Sequence, residues 1–574
     1  MSRTAAGTHV LAAPPVEEPA AAWAEPTRLV IESSERAAEV RARLRGWAED
    51  PARLPGARLV KQGRKRTVVR LPEQAPLPAI YVKQERVLGG YERIKSVLRR
   101  SHARVEYENG LALRAMGVLA PTPICYAEWS DGPFLQKTLT AFEELAGAPQ
   151  VDAFLAALRD EERKRALAAV ARALASAHAR GVDLTDCHRG NLLVFASPEG
   201  GIDGLRLAVL DLASVRLRAP DEEARVLRVG QLIHSLREVL LQSERAALAR
   251  KYAAAAGLPV TEIGRFECES LEAEREVHEQ RERSRDRRCL VDSTEFAVER
   301  SASRRIFRRR DVALDMLVSL AHLGKDERAL ESAGARILHS EGRNLGFVVD
   351  GNDGRGERRR FFVKRTRASS LFGALVDAVR GSRGRRAWKA AHALARRGVP
   401  TPKAYGLIEE GPLMPLSATL VVELIEGSVT LREIAARFPD LFPSRSARAR
   451  FLGELGAAVG KLHSQCVFHD DLATKNILVQ LPKSSGESAR FHFIDLDAVR
   501  SVGPAMPREL YLRALMQLDD CPRTVSRVDR LRFLIAYESA LGTRFPKSDL
   551  AEVRRMLRER FLRSKRDFAK DGPH

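Results

Sequence analysis

Four landmarks recur in this 574-residue chain, in the same order and at a nearly constant distance. A short apolar run ends in lysine at Ile80-Tyr81-Val82-Lys83, and again 281 residues later at Phe361-Phe362-Val363-Lys364. Pro121-Thr122-Pro123 returns after 279 residues as Pro400-Thr401-Pro402. The pair Asp186 and Asn191, five residues apart, returns after 285 as Asp471 and Asn476, and Asp211, closing an apolar run, returns after 284 as Asp495. A period of this length is a whole domain rather than a solenoid unit. The chain must therefore fold as two copies of one design, which also suits a length too great for a single core.

The local patterns around the landmarks agree between the copies. Each lysine closes an apolar and aromatic run that reads as a strand. Leu167, Val170, Leu174 and Ala177 recur three and four residues apart, as do Leu452, Leu455, Val459 and Leu462, and predict a helix before each Asp–Asn loop. A histidine, His178 or His463, follows each stripe, and a lone histidine there is more often structural than catalytic. After each Asn, an apolar triplet, a turn (197–201 or 483–487) and a second apolar run predict a hairpin that delivers the last Asp. Strand lysine, helix, loop and hairpin is the order of an α+β chain built of two tandem bilobal protein-kinase-like domains, each with a small β-rich N-lobe and a helical C-lobe. The expected divisions are a disordered tail at 1–26, a first domain at 27–265, a charged linker at 266–310 ending in a basic strand, and a second domain at 311–574.

Phosphoryl transfer asks a protein for positioning and charge compensation more than covalent chemistry. A strand lysine contacts the α- and β-phosphates of ATP, a loop Asp accepts the proton of the acceptor hydroxyl, and an Asn and a further Asp hold Mg2+. Lys83, Asp186, Asn191 and Asp211 take these roles in the first copy, and Lys364, Asp471, Asn476 and Asp495 in the second. Each element alone is weak; the ordered and duplicated set is strong. Kinases also fix the strand lysine with a helix Glu. Counting back from Gly117 finds Glu106 at that position, whereas the same count from Gly398 finds Ala387. The loops differ in the opposite sense, with His469 two residues before Asp471 but Leu184 before Asp186. Asp183 competes with Asp186 as the base, but only the register of Asp186 puts Asn191 directly before an apolar strand. Neither copy has a Gly-x-Gly-x-x-Gly loop; single glycines at Gly63 and Gly342, among basic side chains, are the candidates to cover the nucleotide.

Composition excludes several alternatives. Six scattered cysteines without a CxxC pair make neither a disulfide framework nor a zinc site, and suit a reducing cytoplasm. The first residues, rich in Ala, Pro and Glu, do not read as a signal peptide, and no apolar run is long enough for a membrane span. Lys and Arg number 96 against 75 Asp and Glu, an excess of +21 that suggests an anionic partner. Nucleic acid, an anionic membrane face and a phosphorylated glycolipid all satisfy charge alone, but no aromatic-interleaved basic motif of an RNA-binding module is present, so nucleic acid is not expected. The Arg-rich stretch 380–397 reads as the solvated face of a helix.

These residues resemble the lipopolysaccharide kinase family, the group of Kdo and core-heptose kinases and their InaA-like relatives. The resemblance is carried by Tyr81-Val82-Lys83 and Phe362-Val363-Lys364, the helix leading to Gly398-Val399-Pro400-Thr401-Pro402, the loops 186–191 and 469–476, the ends Asp211-Leu212 and Asp495-Leu496-Asp497, and the segment Arg287–Phe296. It spans both copies and implies ATP- and Mg2+-dependent phosphorylation of a sugar hydroxyl, Kdo or heptose, of a glycolipid acceptor. The implied place is the cytoplasmic side, peripheral on the anionic inner face of the inner membrane. A Ser/Thr protein kinase, a small-molecule phosphotransferase of the aminoglycoside or choline kind, and a pseudokinase scaffold in one copy are the alternatives. The absence of an Ala-Pro-Glu segment after either final Asp argues against the first of these.

Overall fold

The computed structural model describes residues 24–63, 65–197, 200–352, 356–482, 484, 487–519 and 525–570. Most of the expected tail, parts of both hairpin turns and Cys521 lie outside them. The chain is a mixed α+β protein that divides into two units, residues 1–274 and 275–574.

In the first unit, alternation of apolar and polar residues builds a six-stranded antiparallel sheet. Its order in space is Arg28–Ile31, Pro123–Asp131, Phe134–Glu143, Ile80–Arg86, Arg66–Leu71 and Arg58–Gln62. Ile80, Val82 and Gln84 face a core completed by Val40, Leu44 and Trp47 of helix Ala37–Glu49, which leaves Lys83 on the opposite face. A second core lies among helices, where helix Asp160–Ala179 buries Leu167, Val170 and Leu174 against Leu248 and Tyr252. The hairpin Leu192–Ser197 with Gly201–Val209 returns the chain to Asp211.

The second unit repeats this arrangement with one more strand. Its sheet order is Phe296–Arg300, Arg304–Arg309, Ala404–Glu410, Ser417–Glu423, Arg358–Arg367, Asn344–Asn352 and Arg336–Glu341. Phe361 and Val363 are buried and Lys364 again faces away from that core. Helix Arg445–Ser464 forms the helical core with Tyr537, and the pair Ile477–Gln480 with Arg490–Phe493 leads to Asp495. Residues 266–310, expected as a charged linker, are built into structure. Helix Val260–Asp286 fills the first part, and the last part forms the two strands that open the second sheet, so this sheet starts before residue 311. The reason is that Phe296 and Phe307, spaced among arginines, are buried beside Trp388.

The two helical cores share a polar contact that repeats with the landmarks. His178 Nδ1 lies 2.6 Å from the Tyr252 hydroxyl, and His463 Nδ1 lies 2.7 Å from that of Tyr537. Each tyrosine ring stacks on a phenylalanine, Phe266 in one unit and Phe545 in the other. Burial pushes His178 down to about 4 and His463 down to about 3, so both rings are neutral and structural. An unfolded histidine takes up a proton near pH 6.5, so the stability these rings contribute is complete above that pH and is lost as the pH falls toward 4 and then 3. Thermal melts are expected to show this loss, on the order of 3 kcal/mol per histidine by about pH 4. The pH slope should shrink in His178→Gln and His463→Gln; an unchanged slope contradicts the assignment.

Candidate active site

A lysine turned from water needs a counter-charge, because transfer of a lone ammonium into a low-dielectric site is costly. In the first unit, helix His102–Ala115 supplies it. Lys83 and Glu106 form an ion pair with side chains only 15% and 3% exposed. Thr140, directly opposite Lys83 on the neighbouring strand, donates to the other Glu106 oxygen at 3.1 Å. Burial pushes the Glu106 carboxyl up against the pull of Lys83, and the charge of Asp211 pushes it the same way, so the strand lysine, the helix acid and the final aspartate share one electrostatic site. The helix also grips the loop after Asp211, since Asn109 Nδ2 donates to the Leu212 and Val215 carbonyls at 2.8 and 3.0 Å. Gly110 permits that approach: a Cβ there would come within 2.5 Å of Pro123 Cγ and 3.1 Å of Leu212 Cδ1.

The second unit caps its helix, Arg383–Arg396, as the first does, although Ala390 stands where Asn109 grips the loop. Ser101 and Ser382 cap the two helices, each accepting a backbone N–H at 3.0 Å, and each hydroxyl donates to a strand glutamate, Glu128 or Glu409. The lysine-facing side differs. Ala387 stands where Glu106 stands, Leu420 lies opposite Lys364 where Thr140 lies opposite Lys83, and both are buried. With the socket apolar, Lys364 pairs instead with Asp495, the two side chains 34% and 35% exposed. Asp495 adopts a left-handed backbone (φ 58°, ψ 50°), which Asp tolerates better than most residues. Burial pushes its carboxyl up, but the Lys364 charge and hydrogen bond outweigh this and hold it below the usual range. Asp497, pushed up by burial and by Asp495, has Arg383 3.9 Å away.

The acid loops are laced to the segment after the final aspartate by short antiparallel pairs, Asp183–Leu184 with Val215–Arg216 and Val467–His469 with Val499–Ser501. Asn191 Nδ2 donates to the Asp186 carbonyl at 3.1 Å and lies 3.5 Å from its carboxylate; Asn476 makes the same contacts with Asp471 at 2.8 and 2.9 Å. Both aspartates are about half exposed, open to an acceptor. Asp183 is buried and bidentate to Arg228 at 2.7 and 3.2 Å, so its carboxylate is turned from solvent and committed to an ion pair. In the second unit the corresponding residues are Phe468 and Arg513, which make a cation–π contact, and Arg513 also lies 3.7 Å from the Asp470 carboxylate. His469, kept neutral by burial, accepts the Asp471 N–H at Nδ1 and donates from Nε2 to the Ile494 carbonyl, tying the acid loop to the residue before Asp495. In the first unit Leu184 holds that position, and His188 instead accepts the Gly190 N–H and sits 3.5 Å from Asp186.

Two residues were not singled out in the sequence. Gln231 accepts the Cys187 N–H and donates to the Thr185 carbonyl, and Gln517 does the same with Leu472 and Asp470. Each straps its acid loop from a following helix. They lie 286 residues apart, so the repeat itself carried the signal.

Among the described residues no cluster of three or more His, Cys, Asp and Glu side chains forms a ready metal cage. Each unit instead offers one Asn and one Asp, oxygen donors of the hard kind that Mg2+ takes together with phosphate oxygens. The unequal burial of the two lysine pairs sets an order of stabilities. Glu106→Ala leaves a buried ammonium unpaired and is expected to cost about 3 kcal/mol or more in urea unfolding. Asp495→Ala, at a half-open pair, is expected to cost about 1 kcal/mol or less; the reverse order contradicts this reading.

Comparison with known proteins agrees with the duplicated geometry. The model of the "Lipopolysaccharide kinase (Kdo/WaaP) family" matches residues 73–252 and again 329–537. The chain is similar to the lipopolysaccharide core heptose(I) kinase WaaP of Pseudomonas aeruginosa, 31% identical over 147 residues, which is 24% of this chain. It spans about half that relative's length, 55%. A solved structure titled "WaaP in complex with acyl carrier protein" aligns with 44% of this chain and 98% of its own, at 23% identity and a TM-score of 0.33. With one match in each unit, together covering more than half of its residues, the chain belongs to the lipopolysaccharide kinase (Kdo/WaaP) family.

Proposed function

We propose that the chain is an ATP-dependent phosphotransferase of two tandem bilobal kinase-like modules, which phosphorylates a sugar hydroxyl, Kdo or heptose, of a lipopolysaccharide core presented at an anionic membrane face. The observation that carries this reading is that each strand lysine meets an acid of the same site, Glu106, which feels the charge of Asp211, in the first unit and Asp495 itself in the second, beside a loop whose Asn holds its Asp. Membership of the family supports the reaction class and the acceptor.

Lys83 and Lys364 would bind the α- and β-phosphates, and Asn191 with Asp211, and Asn476 with Asp495, would hold Mg2+. When bound, the metal neutralises charge that develops on the transferred phosphoryl group. Asp186 and Asp471 would accept the proton of the attacking hydroxyl; the Asn side chain donates to the carboxylate or its carbonyl and fixes its aim. The modules are not equivalent in this scheme. In the first, Glu106 holds Lys83 and leaves the Asp211 carboxylate for the metal. In the second, Lys364 occupies the aspartate that the metal needs, so nucleotide binding there must first exchange that pair. The first module is therefore the faster enzyme, and the second is the one whose lysine moves.

Magnesium-dependent transfer of labelled phosphate from ATP to deacylated lipopolysaccharide core is the test. Asp186→Ala is expected to remove most of the turnover, and each Asp→Ala variant to lower its own module's rate by roughly 10²-fold or more. Full activity in the Asp186→Ala/Asp471→Ala double variant would overturn the assignment. Nucleotide binding without transfer to the core would move the acceptor to another class.

A further inference from the structure

Helix Leu371–Arg380 of the second unit is built the wrong way round for a protein in water alone. Its small residue Ala374 is fully buried, while Leu371, Phe372 and Val379 are 73%, 75% and 85% exposed. Leu375 and Val376 share the exposed stripe, at positions one helical face brings together. A helix folded for a core turns its large apolar side chains inward; this one holds them outward. It is also fastened in that attitude. Ser370 caps its start, Arg386 lies 3.5 Å from Asp377 on the inward side, and the same guanidinium donates to the Gly381 carbonyl at 2.8 Å.

The surroundings are cationic. A cavity of about 1110 Å3 runs beside the helix toward Asp470 and Asp497, and Arg343, Arg367 and Arg380 border it. These three have no carboxylate partner among the described residues, in a chain that otherwise pairs its arginines extensively. The first unit has a smaller version at the same place after its lysine strand. Helix Gly90–Leu98 exposes Ile94, Val97 and Leu98, with Arg99 following and Arg100, paired with Glu108, next to it.

An outward apolar stripe flanked by arginines that lack counter-charges fits one partner class, a surface that offers both hydrocarbon and negative charge. Among the described residues no helix is long and apolar enough to cross a membrane, so contact would be at the surface. We propose that helix Leu371–Arg380 lies in the interface of an anionic phospholipid bilayer, with its leucine, phenylalanine and valine side chains among the acyl chains and Arg367 and Arg380 at the headgroups. It rests on the phosphotransferase reading only in giving the Asp470–Asp497 end of the cavity an acceptor embedded in the same membrane.

Co-sedimentation of the full chain with phosphatidylcholine vesicles, with and without phosphatidylglycerol, tests it. Wild type is expected to pellet with the anionic vesicles and far less with the neutral ones. Leu375→Glu/Val379→Glu is expected to weaken that binding about tenfold or more, with an unchanged melting temperature and unchanged transfer to a water-soluble core acceptor. Tryptophan emission of Phe372→Trp should shift to the blue on anionic vesicles only. Vesicle binding undiminished in the double variant would overturn the proposal. So would a loss of self-association in that variant without loss of vesicle binding, which would make a second copy of the chain the occupant. Absent kinase activity with intact vesicle binding would sink the phosphotransferase reading and leave the docking surface standing.

Discussion

The ammonium of a lysine held between a sheet and a helix cannot remain there unpaired, and the rest of each unit is arranged around how that charge is met. In the first unit the answer comes from the helix: Glu106, supported by Thr140 across the strand pair. That choice fixes the helix against the sheet, and the same helix then holds the loop after Asp211 through Asn109. One element therefore sets the lysine and the final aspartate together. In the second unit the helix is capped by the same serine–glutamate contact, but Ala387 and Leu420 make the socket apolar and the lysine turns to Asp495. Both lysine-facing positions differ between the units, and the different counter-charge goes with them.

What the units keep in common is the frame of the acid loop. Each loop is laced by a short strand pair to the segment that follows the final aspartate, strapped by a glutamine from the next helix, and backed by a histidine–tyrosine contact in the core. Held at this many points, an exposed aspartate can be aimed without being buried. The histidines at the two loops differ: His469 adds a tie from the acid loop to the residue before Asp495, whereas His188 bonds only locally, to the Gly190 N–H.

The repeat made much of this legible from the sequence. Landmarks at a constant offset located both lysine strands, both loops and both hairpins, because chemistry that needs a fixed order of groups leaves a fixed spacing. The count from Gly117 reached Glu106 and the same count from Gly398 reached Ala387, since the helices have equal length and equal caps. The basic strand expected at 304–310 is present, but the strand Phe296–Arg300 before it reads as linker, because charged residues dominate the segment while its fold depends on a few inward side chains, Phe296 and Ala297 with Ile306 and Phe307. The Lys364–Asp495 pair joins residues 131 apart and depends on the backbone conformation at Asp495, so no local pattern announces it. The glutamine straps were legible in principle, but a glutamine carries no chemistry that invites attention until its two hydrogen bonds are seen.

The central proposal is that each unit has its own nucleotide site, with the final aspartate left free of the strand lysine in one and engaged by it in the other. Calorimetric titration with a non-hydrolysable ATP analogue and Mg2+ tests it most directly. The account predicts two sites per chain, the tighter lost in Lys83→Met and the weaker strengthened in a variant that restores an acid at the helix, Ala387→Glu. A single site abolished by Lys364→Met and untouched by Lys83→Met would contradict it.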